Sequence, residues 1–377
     1  MRRAFIPLVI LIALVEATGV DARTWHVPSG CPTIQAGVDS VGAGDTVLVA
    51  CGTYYEHDIV MRSGVRLSSE TGLADCVTID AQQLGRVFFC RDIDTTAVFE
   101  GFTIAGGSAV ACPDDDRGGG MFCVGASPTV RNCLFCGNSA SDGGALICIC
   151  QADARVRSCT FRDNRAEAHG GAVDCCYSAP LFEDCLFFGN VSEHSGGAFT
   201  CYSGSAPVLT RCVLRENSAG LSGGAAHSSA CATLTFINCT LCRNSAGWIG
   251  GGVCSDFDGV VWLENSIVAY SLEGGAVCCW DGWTGLACCN LYGNVGGDWA
   301  GCISYFYERD GNFSECPGFC DPEACDFRLQ ECSPCAPGNH PYGYDCGLIG
   351  AHGVACPCGQ PSAVAPVTWS GLKSLYR

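Results

Sequence analysis

Lysine is missing from this chain until Lys373, and only 15% of the 377 residues carry charge. Any cationic role in binding or catalysis therefore falls to arginine or histidine. With a net charge of −18, the chain is a poor partner for nucleic acid, since phosphate contacts need a positive surface. Helical repeats would require more Ala, Leu, Glu and Lys and far less Gly than are present. One apolar run, at residues 4–15, stands out, and it is shorter than the ~20 residues a membrane span needs. Neither a P-loop nor a dinucleotide-binding glycine fingerprint occurs.

What is abundant is glycine, with 50 residues, and cysteine, with 33. One phrase recurs: CLFCGN (133–138), CTFRDN (159–164), CLFFGN (185–190), CVLREN (212–217) and CTLCRN (239–244), echoed at 266–271 and 289–294. Between the copies lies a second phrase, GGA or GGG, at 143, 170, 196, 223, 250 and 274. The closing asparagines are separated by 26, 26, 27 and 27 residues, so each unit is a coil of an elongated solenoid. Short β-branched runs between glycine turns predict strands, with about three per coil. Coils about 4.8 Å apart stack equivalent residues in columns.

Read this way, Asn138, Asn164, Asn190, Asn217, Asn244 and Asn294 form a column whose amides bond to the asparagines above and below. Asn also tolerates a left-handed backbone if the turn needs one. The Gly-Gly pairs mark a bend where a Cβ would clash. Cys133, Cys159, Cys185, Cys212 and Cys239 stack at a spacing a disulfide accepts, so they either staple neighbouring coils or fill the core as small apolar groups. After each glycine pair the alternation predicts Leu146, Val173, Phe199, Ala226, Val253 and Val277 inward. Ile147, Asp174, Thr200, His227, Cys254 and Cys278 are predicted to face outward.

Residues 1–22 read as a secretory signal, with Arg2 and Arg3, an apolar run and a small-residue cleavage site. Residues 23–117 then hold an N-terminal cap and the first coils, beginning with an amphipathic helix at 33–41. Regular repeats follow at 118–294, Cys-rich closing coils and a stapled cap at 295–358, and a tail at 359–377. Export permits disulfides, and no span is expected in the mature chain.

The opening PTIQAGVDSVGAGDTVLVACGTYYE (32–56) and VFEGFTIAGG (98–107) resemble the start of secreted right-handed parallel β-helix proteins of pectin-lyase-like fold. The GGA and FxxN phrases are similar to repeats of polymorphic outer-membrane proteins. DFRLQECSPCAPGNH (326–340) and GLIGAHGVAC (347–356) look like the closing coil of such proteins. The resemblance implies an all-β, right-handed parallel β-helix, secreted or at the cell surface, with a polysaccharide or surface glycan as partner.

Enzymes of this kind place carboxylates and basic groups on an outward strand face, where they hold Ca²⁺ or act as acid and base. The corresponding candidates here are Asp174, His227 and Asp281 for catalysis, and Tyr177, Tyr202, Trp280 and Trp283 as sugar-binding faces. Lyase and hydrolase signatures are not recognisable, which favours binding or display over catalysis. No cofactor or metal is expected, although the run Asp114-Asp115-Asp116-Arg117 offers either a weak Ca²⁺ loop or a solvated one. Gly220-Leu221-Ser222-Gly223-Gly224 matches the GxSxG elbow by letter only, because it sits in a repeat turn with no helix to follow.

Overall fold

The computed structural model describes residues 22–110 and 115–359. The export signal, apart from Ala22, the tail beyond Gly359 and Asp114 lie outside the described residues. Four strands make one turn of the solenoid in its regular part. Leu146–Ile149, Arg155–Arg157, Thr160–Arg162 and Arg165–His169 complete a coil, and Val173–Cys176 then pairs in parallel with Leu146–Ile149. Stacking the coils builds parallel sheets of eleven, ten and nine strands, with a shorter five-stranded sheet where the fourth strand forms. This is an all-β parallel β-helix.

Period-2 alternation sends every second side chain into the lumen, where identical positions meet. Phe135, Phe161 and Phe187 stack face to face at 4.8 Å. Leu146, Val173, Phe199, Ala226 and Val253 line the same lumen and are fully buried, with Val277 only 9% exposed. In the less regular first coils, the run expected at 98–104 divides into Val98–Glu100 and Phe102–Ala105. The break is Gly101, at φ +78°.

The expected N-terminal helix spans Ile34–Ser40 and is capped by Thr33, whose hydroxyl accepts from the Ala36 N–H at 3.1 Å. Glu56 accepts from the Ile34 and Gln35 N–H groups, supplying negative charge where the helix dipole is positive. Ile34 and Val38 are buried over the first strands, so the helix closes an end that would otherwise present open edges.

The asparagine column forms a continuous ladder. Each Nδ2 donates to the next Oδ1, from Asn138 to Asn244, at 2.9–3.0 Å. Each Nδ2 also reaches a strand carbonyl of the preceding coil, as Asn164 does to Phe135 O at 3.1 Å. The left-handed residue is not the asparagine but the one before it: Gly137, Asp163, Gly189, Glu216 and Arg243 have φ between +52° and +65°.

The cysteine column is not stapled. Cys133, Cys159, Cys185, Cys212 and Cys239 are all free and buried, and their thiols donate to the carbonyl two residues back at 3.2–3.4 Å. Strand spacing permits a bridge, but the sulfurs point at backbone acceptors instead. Five disulfides form elsewhere among the described residues: Cys51–Cys76 in the first coils, and Cys279–Cys302, Cys288–Cys346, Cys320–Cys356 and Cys332–Cys358 near the far end.

The Cys-rich segment does more than cap that end. Its strands Phe319–Asp321, Asp326–Gln330 and Val354–Cys356 form a small sheet. With Ile349 and Ala351 it folds back along the outside of the ten-stranded sheet, packing on Leu186, Val213 and Ile267. Asn238 Nδ2 donates to Leu348 O at 2.6 Å, and the Ala351 N–H donates to Thr240 Oγ1 at 3.0 Å. The 3₁₀ turn Gly301–Phe306 closes the lumen itself, burying Ile303.

Candidate functional site

The stripe expected to face outward leaves the lumen but reaches solvent only at its end, where Cys278 is half-buried. Ile147, Asp174 and Cys254 have no exposed surface, Thr200 2% and His227 4%. The reason lies in the glycine turns. Each turn folds over the strand, so that a Cβ on Gly170 would stand 3.0 Å from Asp174 Cβ, and one on Gly223 would stand 3.0 Å from His227 Cβ. On Gly196 it would strike Thr200 Oγ1 at 2.0 Å. The first glycine of each pair has positive φ, +66° at Gly196. The second has no room, since a Cβ on Gly197 would lie 2.2 Å from Gly224 O.

Beside this stripe the turns stack a second column, Asp142, His169, Ser195, Ser222 and Ile249. Ser222, from the GxSxG look-alike, shares a 3.0 Å hydrogen bond with Ser195. Asp142 accepts from the His169 N–H at 3.1 Å, and the His169 and His194 rings lie 5.6 Å apart. Together the two columns run a row of titratable groups along the solenoid axis.

Burial sets the protonation of that row. It pushes the Asp174 carboxyl well above its usual range, and the neighbouring Asp142 adds to this against Arg117 and Tyr202. Neither Asp174 oxygen has a hydrogen-bond partner among the described residues. Burial likewise raises Asp142, against the pull of His169, and lowers His169, against the pull of Asp142. The Tyr202 phenol is raised by burial and by Asp174. At Asp256 burial would raise the carboxyl, but the His227 ring, its Nε2 3.0 Å away, outweighs it and the group is lowered.

The three proposed catalytic residues do not meet. Asp174 and His227 share one face, two strands apart, about 10 Å. Asp281 sits in an exposed turn at φ +60°, bridging to Asp256. It follows a strand four places from that of Asp174, about 19 Å along the axis.

The proposed sugar-binding aromatics also divide. Tyr202 is half-buried near Asp174, and Tyr177 is an exposed turn residue. Trp280 pairs with Trp248 at 5.1 Å, whereas Trp283 crosses to the next sheet and packs on Trp262 at 4.7 Å. Trp248 and Trp280 are each more than half exposed. Next to Trp248 opens a cavity of about 340 Å³, lined by Ile249, Gly250, Gly274, Cys278 and Cys302 among others, with no charged side chain in its wall. Trp248 and Trp262 were absent from the sequence-derived set; the signal that could have found Trp248 is its position in the turn just before a glycine pair.

Comparison with known proteins bears on the fold. A family described as a right-handed β-helix region matches residues 130–268. The crystal structure of pectate lyase Pel9A is similar over 89% of this chain and 98% of that chain, with a TM-score of 0.54 and 14% identity. No curated protein matches. The chain is a right-handed parallel β-helix protein of pectin-lyase-like fold.

In this β-helix the acidic loop is largely engaged in local contacts. Asp115 makes a two-pronged pair with Arg117, at 2.8 Å for both contacts, and Asp116 accepts from Ser141 Oγ at 2.8 Å. No helix among the described residues is long and apolar enough to cross a membrane, and the five disulfides are consistent with an extracellular location.

Proposed function

We propose that this β-helix is a secreted or surface-attached protein that binds a polysaccharide without cleaving it, at the Trp248–Trp280 end of its nine-stranded face. The observation that carries the reading is the pairing of two exposed indoles with an uncharged groove, while Asp174 on the same face is fully buried. Indole faces suit the C–H faces of sugar rings, and a polar tip on an apolar body fits a wet binding site. A net charge of −18 repels polyanions, so the favoured ligand is a neutral glycan rather than the acidic polymer implied by the name of the similar lyase. The signal at residues 1–22 and the disulfides support export.

Affinity electrophoresis on neutral glucans, galactans and xylans, beside polygalacturonate and alginate with and without Ca²⁺, tests this. Retardation by a neutral polymer, lost in Trp280→Ala and unaccompanied by new reducing ends or unsaturated products, is the expected result. Preference for polygalacturonate, or product release, overturns it. One observation favours a second reading, a polysaccharide lyase or hydrolase on the outward face around Asp174 and His227, with Asp142 and His169 beside them. The carboxyls of Asp142 and Asp174 are pushed up while His169 is pushed down, the divergence that marks acid–base sites. That reading requires the glycine turns to open, and product release abolished by Asp174→Asn would establish it.

A further inference from the structure

The outward stripe ends in a pair of cysteines whose surroundings differ from those of the other stacked thiols. Cys254 and Cys278 are register partners on neighbouring parallel strands, where Cα atoms lie about 4.8 Å apart, inside the roughly 4.4–6.8 Å range a disulfide accepts. Both Cβ atoms lie 3.1 Å from the single point where a Cβ on Gly250 would stand, so both side chains occupy the same side of the sheet. Cys254 is fully buried; Cys278 is half-buried and forms part of the groove wall. The column from Cys133 to Cys239 offers no such access, because every member is buried.

We propose that Cys278 and Cys254 are a reactive thiol pair that takes small-molecule disulfides from the groove and closes into a cross-strand disulfide beneath it. In the first step the Cys278 thiolate attacks one sulfur of the small disulfide RSSR. A bond forms from Cys278 Sγ to that sulfur, the S–S bond breaks, and one RS⁻ leaves and takes up the proton. In the second step Cys254 Sγ, losing its proton, attacks Cys278 Sγ and expels the second RSH. The protein pair is oxidised by two electrons, and RSSR is reduced to two RSH.

The electrostatics suit these roles. The Cys254 thiol holds Cys278 below the ordinary thiol range, against burial and Asp256, while the hydrogen bond to Cys278 and then burial push Cys254 up. The thiol nearer the groove is therefore the better attacker, and the buried one resolves. His227, the register neighbour of Cys254 on its other side, has a buried Nδ1 with no partner among the described residues. The Cys279–Cys302 disulfide lies in the wall of the same groove and is the competing partner for Cys278, although strand alternation points the Cys279 side chain away from the face that carries Cys278 and Cys254.

The test uses the full mature protein and oxidised glutathione as the probe, followed by native alkylation with N-ethylmaleimide and peptide mapping. The expected results are a Cys254–Cys278 linked peptide, found before or after treatment, and a glutathione adduct held on Cys278 in Cys254→Ser. In Cys278→Ser, Cys254 stays unmodified. In untreated protein with the pair reduced, native alkylation of Cys278 runs at least about tenfold faster than that of Cys148, which is fully buried. The proposal is overturned if Cys278 reacts no faster than Cys148, if a mixed disulfide persists in the unaltered protein, or if Cys278 links to Cys279 or Cys302 instead.

Discussion

Asp174 shows how one side chain changes meaning when its surroundings are known. Its carboxyl is buried beside Asp142 and without a hydrogen-bond partner among the described residues, so its folded pKa lies above the unfolded value near 3.9. A raised carboxyl binds its proton more tightly in the folded state. Its stabilising contribution is therefore complete below about pH 4 and is lost as pH rises through the folded pKa. Asp174→Asn should raise stability by ~1–3 kcal/mol at pH 7 and change it little at pH 4, as thermal unfolding at the two pH values would show. Destabilisation at pH 7 would mean that the carboxylate is held as an ion. The exposed indoles give the complementary case. Trp248→Ala and Trp280→Ala should leave stability within ~0.5 kcal/mol and weaken glycan binding about tenfold or more, readable by titration calorimetry. Unchanged binding in both would remove the groove from consideration.

The turns and ladders are the elements on which the solenoid depends. In the middle of the ladder, Asn190 accepts from the Asn164 N–H and Nδ2 and donates to Phe161 O and Asn217 Oδ1. Asn190→Ala leaves buried groups of two coils unpaired and should cost ~2–4 kcal/mol in denaturant unfolding. A loss below ~1 kcal/mol would show that water replaces the amide. Gly197→Ala should be at least as damaging, since its Cβ meets a backbone carbonyl at 2.2 Å that cannot swing away. The asparagine and glycine columns were legible in the chain because stacking brings every copy of a position to one place. The left-handed residue was not, because Gly137, Asp163, Gly189, Glu216 and Arg243 share no side-chain chemistry.

At the scale of the molecule, strength is distributed unevenly along the axis. Each coil touches only its neighbours, so local stability follows local contacts. The described disulfides lie in the first coils and towards the far end, and the regular middle is held by ladders and stacked phenylalanines. Reduction should first strip hydrogen-exchange protection from residues 51–76 and 319–358, while residues 130–268 stay protected. Simultaneous loss across the middle would mean that the returning C-terminal segment, packed against Leu186 and Val213, locks the whole stack.

By itself the chain determined the architecture: a fixed period near 26 residues with glycine, asparagine and alternating apolar positions has one efficient packing, a column of parallel coils. It also determined which side chains leave the lumen, since strand alternation is local. Only the tertiary structure decided what covers them, because strand alternation does not specify that the glycine turn just ahead of each strand folds back over Asp174 and His227. The same holds for the cysteines. Strand spacing allows both a staple and a free thiol, and the choice rests on where each sulfur points and whether a groove opens beside it, as it does at Cys278.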